Sequence, residues 1–401
     1  MNITQKGILT LIKSAVTQQA CALPQGFDLQ EAMPWIIRHH ITPVAFEGGM
    51  RCGLLPNTPA MQTLFQSYCK SLQVSEGQLQ ELERICQAFD QAGLDYMPLK
   101  GCNMKGRYPK AELRMMGDAD ILIRLEQYER IIPVMKSLGF RFNKESNHEL
   151  VWQSPKLYVE LHKVMIPTYN PDFHGYFGNG WQLAKPAQGN RFAMSPEDEF
   201  VYIFTHFAKH YRDGGIGCRH VTDLWVFLRW AADLDLAQVE QKLKKLCLLE
   251  FYQNMRRLIA VWFEDAPGDD KTEFITQFIF GSGSYGEEAV KVTSRAVRDT
   301  RHVPKGVGGR MVYLWQTAFP SVMVLEEKYT ILKKAPWMLP VVWVIRPFYK
   351  VLFERESLQK QKRNLQAVTP ENLRNRQTAL DYVGLDYFLD EGSEMLGQDA
   401  P

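Results

Sequence analysis

The chain has 401 residues, 45% of them hydrophobic and 23% charged, an ordinary globular balance and enough length for two or three compact units. Lys and Arg number 47 against 45 Asp and Glu, a net charge of +2, so no global field directs the whole molecule to nucleic acid, although local basic patches are compatible with that total. Seven dispersed cysteines without a CxxC pair argue against a disulfide scaffold and for a reduced, cytoplasmic protein, and residues 1–16 lack the pattern of a secretory signal.

Residues 1–92 place apolar side chains at helical spacing, first Ile8, Leu9, Ile12 and Val16, later Met61, Leu64, Phe65, Tyr68 and Leu72, which predicts an N-terminal helical region. A helix over 80–93, closed by Gly93, leads into the apolar run Tyr96-Met97-Pro98-Leu99, a first strand. Lys100-Gly101-Cys102 then makes a strand-to-helix turn, and a helix from Asn103 stops near Tyr108 at Pro109. A second strand runs from Asp118 to Ile123, followed by a helix over 125–138 that Pro133 should kink or shorten. Residues 149–153 and 156–162 read as a hairpin around Ser154-Pro155.

After a turn-rich stretch over 167–189, Ser195-Pro196-Glu197-Asp198 carries the cap, the proline and the acids of a helix start, and helices continue to about Phe280. Glycine-rich stretches at 281–286 and 305–309 bracket a polar, mobile section, and a helical part fills 310–390. The stretch 281–286 matches GxGxxG but follows no strand, so it reads as a loop. The densest apolar run, 335–345, is short of the roughly 20 residues of a bilayer span and is cut by Pro336 and Pro340. Aromatics beside Arg346, Lys350 and Arg355 leave an interfacial membrane helix as the alternative to core packing with a solvated basic edge, and core packing is the expectation.

The chemistry concentrates between 99 and 162. Side chains two apart on a strand share a face, so Asp118 and Asp120 point one way while Ala119, Ile121 and Ile123 pack the other. Two carboxylates about 5 Å apart repel by roughly 3 kcal/mol at an effective dielectric of about 20, so the fold should supply a cation. Mg2+ suits the pair, with Mn2+ as the alternative. Glu160 lies between apolar neighbours on a downstream strand and adds a third acid, and three acids suit two metals and a triphosphate. His162, on the same face, is a candidate orienter of a ligand carboxylate. Lys100 is a candidate phosphate contact. Arg114 divides between a phosphate contact or ion pair with the acids and a solvated place beside Glu112. His206 and His210 sit one helical turn apart, but the glutamate of HExxH and a third ligand are missing. Their face, with Lys209, Arg219 and Asp223, is expected instead to pack over the sheet and contact nucleotide or acceptor.

These motifs, Leu99-Lys100-Gly101, Tyr108-Pro109, Arg114, Gly117 to Ile123 and Val159-Glu160-Leu161-His162, resemble the polymerase-beta-like nucleotidyltransferase superfamily. They resemble more closely its bacterial uncharacterised nucleotidyltransferase family, and the likeness extends through His206 to His210, Gly215 to Asp223 and Phe319-Pro320 with 336–346. The resemblance implies an α+β fold, a small mixed sheet with flanking helices. This nucleotidyltransferase core would occupy 93–194, with helical regions over 1–92, 195–300 and 301–401. It implies a Mg-dependent enzyme that moves a nucleoside monophosphate from a nucleoside triphosphate to a hydroxyl of an unidentified acceptor. Asp118, Asp120 and Glu160 would be catalytic and hold the metal, and Lys100, Gly101 and Arg114 would bind the nucleotide. Lys100-Gly101-Cys102 departs from the usual glycine followed by glycine or serine, and the interval from Gly101 to Asp118 is longer than usual. Those departures motivate a second reading, a catalytically degenerate nucleotide-binding or regulatory protein. A third is transfer onto RNA or protein, as in toxin and antitoxin relatives.

Overall fold

The computed structural model describes residues 1–168, 170–283, 288–300, 311, 315, 317–325, 329–353, 364, 366 and 368–385. The chain divides into two compact units, one of Met1–Lys209 with Ile216–Ser284 and one of His210–Gly215 with Tyr285–Tyr387.

The first unit begins with four helices, α1 (Ile3–Thr17), α2 (Leu29–Arg38), α3 (Thr42–Arg51) and α4 (Pro59–Gln91). The α4 helix starts where Thr58 caps the Met61 N–H and Pro59 fills the first turn, and the chain turns out of it at Gly93 with φ +60°. Its stripe Leu82, Ile85 and Phe89 lies under the sheet. The five strands are β1 (Tyr96–Pro98), β2 (Asp118–Ile123), β3 (Arg141–Glu145), β4 (Glu149–Gln153) and β5 (Tyr158–His162). Their spatial order is β1-β2-β5-β4-β3. Only β2 and β5 are parallel, and the other pairs are antiparallel. The sheet is therefore the small mixed one expected.

A short helix α5 (Gly101–Met104) follows β1, and α6 (Tyr128–Ser137) follows β2. Pro133 sits inside α6 without ending it. One face of the sheet packs Ala119, Ile121, Val159, Leu161, Leu150 and Trp152 against α4 and against Ile131 and Met135 of α6. Each Ile, Val, Leu and Met among them contributes roughly 1.5–3 kcal/mol on burial. Alternation then sends Asp118, Asp120, Glu160 and His162 to the opposite face. The β3 strand was not foreseen, because Arg-Phe-Asn-Lys-Glu is exposed at every position and shows no apolar alternation.

The turn-rich stretch holds α7 (Pro171–Phe177) and β6 (Lys185–Pro186), which pairs in a small ribbon with β7 (Phe192–Ala193) just beyond it. Helices α8 (Pro196–Asp213), α9 (Cys218–Trp230), α10 (Leu236–Lys245), α11 (Leu249–Phe263) and α12 (Asp270–Ser282) follow as expected. Of the GxGxxG stretch, Gly281 and Ser282 close α12 and Gly283 caps it at φ +64°, while 284–286 and the glycines at 305–309 lie outside the described residues.

In the second unit, α13 (Glu288–Thr300) is followed by α14 (Val322–Leu325), α15 (Ile331–Lys334), α16 (Leu339–Phe353) and α17 (Pro370–Val383). Val292 and Ala296 of α13 cluster with Val368 and Leu373. Leu325, Leu332 and Val342 form a second cluster with Leu339 and Trp343. Core packing, expected for the region from Trp337 to Arg355, holds for that face only among the described residues, since Trp337, Val344 and Phe348 are 78%, 65% and 68% exposed, and Arg355 lies outside the described residues. No helix among the described residues is long and apolar enough to cross a membrane.

Candidate active site

Parallel pairing of β2 with β5 sets Asp120 directly beside Glu160 and Leu122 beside His162. The acids that lie 40 residues apart in sequence thus become neighbours on one face. One ligand atom from each of Asp120, Glu160 and His162 falls within 4.8 Å of the others. Asp118 is one pleat earlier on the same face, half-buried and outside that cluster.

Asp120 is the centre. Lys100 Nζ and His162 Nε2 each lie 2.7 Å from its Oδ1, and His162 Nε2 is 3.6 Å from Glu160 Oε2. The Lys100 ammonium and the His162 contact hold the Asp120 carboxyl well below the usual range against the opposing effect of burial. Burial and the Lys100 charge lower the His162 pKa, so the ring is neutral. Its Nε2–H donates to Asp120, and Nδ1 is left buried without a hydrogen-bond partner. Burial and the Asp120 charge raise Asp118. Burial, Asp118, Asp120 and Glu149 push Glu160 up to about 8. Glu149, opposite His162 on β4, is held down to about 2, chiefly by its hydrogen bond with His148. The face therefore holds more carboxyl groups than Lys100 can balance if all ionise, and a carboxylate-rich donor set of this kind fits a hard divalent cation.

Lys100 reaches Asp120 from a strained backbone. Its φ and ψ of +44° and −112° match the first central residue of a type II′ turn, closed by Cys102 N–H donating to Leu99 C=O at 3.0 Å. Glycine is the residue that adopts this conformation without cost, so a lysine there is a local strain of about 1–3 kcal/mol of the kind that clusters at functional positions. Tyr202 of α8 packs beside Lys100 and donates to the Met165 carbonyl at 3.4 Å. Cys102 replaces the usual hydroxyl, but its thiol turns to the Asp120 carbonyl, with Sγ 3.5 Å from the oxygen, and burial pushes its pKa up.

The long interval between Gly101 and Asp118 is folded down onto α4 and α9. Tyr68 and Ser71 of α4 donate to Glu112 at 2.7 and 3.0 Å, and Gln78 donates to the Met116 carbonyl at 2.8 Å. Lys105, buried, donates to the Arg114 carbonyl at 2.8 Å. Arg114 goes neither to solvent nor to the two acids. It is buried and makes two 3.0 Å bonds to Asp223 of α9, which also accepts from the Tyr108 hydroxyl at 2.7 Å. Gly101 lies close beside this pair, where a Cβ would stand 2.9 Å from Arg114 Nη1. From α9, Arg219 donates to the Met115 carbonyl at 3.0 Å, and its charge acts on Asp118.

Glu149 and Tyr202 were not singled out in the sequence. The signal for Glu149 was present, since the hairpin register places it across from His162. Nothing local marks Tyr202, one aromatic among several on α8.

The family model for an uncharacterised nucleotidyltransferase matches residues 25–264, which contain all of these side chains. No curated protein matches. The solution structure of the antibiotic-resistance factor ANT(2'')-Ia aligns at 14% identity over 46% of this chain and 97% of its own, with a TM-score of 0.33, too low to support an argument.

Proposed function

The chain belongs to the uncharacterised nucleotidyltransferase family, and from that premise we propose that it moves a nucleoside monophosphate from a nucleoside triphosphate to an acceptor hydroxyl, with Mg2+ as the metal. The observation that carries this reading is the adjacency of Asp120 and Glu160 on parallel strands, with Asp118 on the same face and one lysine for three acids. Asp118, Asp120 and Glu160 would hold the metal, with His162 orienting Asp120 through Nε2–H. When bound, the metal neutralises triphosphate charge and favours departure of pyrophosphate.

Lys100 neutralises Asp120 in the protein as it stands and lies where its ammonium can also meet a phosphate. Arg114 and Gly101 act through the scaffold: the pair with Asp223 fixes the segment that carries the turn. The turning away of the Cys102 thiol leaves Lys100, rather than a hydroxyl, as the turn's polar side chain toward substrate.

The test is pyrophosphate release from each nucleoside triphosphate with Mg2+ or Mn2+ and hydroxyl acceptors of graded size, including RNA ends and proteins. Release that depends on both metal and acceptor supports the reading. Tight nucleotide binding with no release under any combination would replace it with the regulatory one.

A further inference from the structure

Two arginines stand near Asp223, and the structure gives them different roles. Arg114, which the sequence left open as a phosphate contact, bonds both oxygens of Asp223 at 3.0 Å. Arg219, in the first turn of α9, is half-buried. Its Nη1 donates to the Met115 carbonyl at 3.0 Å, just ahead of Gly117 and Asp118. Its Nη2 lies 3.5 Å from His220 Nε2, which is the accepting nitrogen because His220 Nδ1 is directed at the Gly217 carbonyl at 3.3 Å. Burial and then the Arg219 charge push the His220 pKa down to about 3, so that ring is neutral. Neutral acceptors of this kind orient a guanidinium without cancelling its charge.

The charge of Arg219 reaches the acidic face. Burial and Asp120 raise Asp118, and the charges of Lys100 and Arg219 oppose them. Lys100, on the turn after β1, already contacts Asp120 at 2.7 Å. Arg219 belongs to a different element and is fixed at the backbone that leads into Asp118. A triphosphate brought to this face adds its negative charge to that of the carboxylates, and cations placed along it are what hold it. A guanidinium presents parallel N–H donors that match phosphate oxygens, and the positive end of the α9 dipole adds potential of the same sign.

We propose that Arg219 binds the phosphates of the nucleoside triphosphate and so makes the site select a triphosphate over a monophosphate. This rests on the nucleotidyl-transfer reading and gives it a nucleotide contact on α9, outside the sheet and its turn.

The test is calorimetric binding of α,β-methylene nucleoside triphosphates and of the matching monophosphates to the full chain with Mg2+. Wild type should prefer the triphosphate. Arg219→Gln should lose roughly tenfold or more on the triphosphate and much less on the monophosphate, as for one charge-assisted phosphate contact. Arg219→Lys keeps a donor for the Met115 carbonyl and a charge without the fork, so it should fall between the two, again on the triphosphate alone. That variant decides the matter if the glutamine one does not fold. Equal losses on both ligands would assign Arg219 to pinning the segment before Asp118, and undiminished triphosphate binding would remove it from the site. Either result overturns the inference, while Mg-dependent binding by wild type and its loss in Asp118→Asn leave the broader reading standing. Absence of Mg-dependent triphosphate binding in wild type overturns both.

Discussion

Asp120 and Asp223 are both buried carboxylates with a cation in hydrogen-bond contact, and they differ in what surrounds that contact. Asp223 takes two parallel bonds from Arg114 and a third from Tyr108, so both oxygens are occupied and the charge is matched. Asp120 takes Lys100 and His162 on a single oxygen, and the carboxyl groups of Asp118 and Glu160 crowd the same face and are held more protonated than usual by it. A matched network in low dielectric is a fixture of the scaffold. An acidic group with an excess of carboxylates suits a hard cation, which is the role the proposed function gives it.

The largest effect should separate the two networks by activity. Under the proposed function Asp118→Asn and Asp120→Asn each remove a carboxylate proposed to hold the metal, and loss of several kcal/mol of charge stabilisation corresponds to a fall of roughly a thousandfold in turnover. Pyrophosphate release per folded molecule checks this. Retention of more than a tenth of the activity in both variants would break the distinction.

Next in size is Asp223→Ala. It leaves Arg114 buried without its counter-ion and should cost about 3–5 kcal/mol of stability, read from urea unfolding. A loss below about 1 kcal/mol would show that the Arg114 pair is not a fixture.

A third matched network supplies the pH dependence. His39 is buried, with Nδ1 accepting from the Cys218 N–H at 3.2 Å and Nε2 donating to the Phe280 carbonyl at 3.2 Å, an arrangement only the neutral ring satisfies. Burial lowers its pKa from 6.5 to about 4. The folded state binds the proton less well than the unfolded state, so this contribution is complete above pH 6.5 and is lost as pH falls toward 4. It amounts to about 3 kcal/mol. Unfolding free energies at pH 7 and pH 4.5 should show the loss, and His39→Leu should flatten the slope. An unchanged slope in that variant assigns the acid sensitivity elsewhere.

The smallest is Gly101→Ala. The added Cβ meets Arg114 Nη1 at 2.9 Å and Met116 at 3.2 Å, which should cost about 1–3 kcal/mol and lower the melting temperature. No change in melting would mean that the Arg114 side chain shifts freely, contrary to its closed pairing.

Much of the sheet was legible because alternation is a local signal. Ala119, Ile121, Val159 and Leu161 announce a buried face, and the same count puts Asp118, Asp120, Glu160 and His162 opposite it. Partners far apart in sequence were not legible. Asp223 lies 109 residues from Arg114, and nothing near Arg114 distinguishes a buried pair from a phosphate contact. The strain at Lys100 is likewise a backbone property that residue type does not reveal. In α16 the dense apolar run was visible, but composition alone does not say which apolar side chains are buried. Pro133 stands inside α6, which is shorter than the helix expected over 125–138, with Ile131 and Met135 still packed on the sheet.

The most direct measurement of the central claim is calorimetric binding of a nonhydrolysable nucleoside triphosphate to the full chain, with and without Mg2+, in wild type and in Asp118→Asn. Asp118 is half-buried and lies outside the Lys100–Asp120–His162 contacts, so the variant keeps the fold. Binding that requires Mg2+ in wild type and disappears in Asp118→Asn is the predicted result. Equal binding with and without Mg2+, or undiminished Mg-dependent binding in the variant, would contradict it.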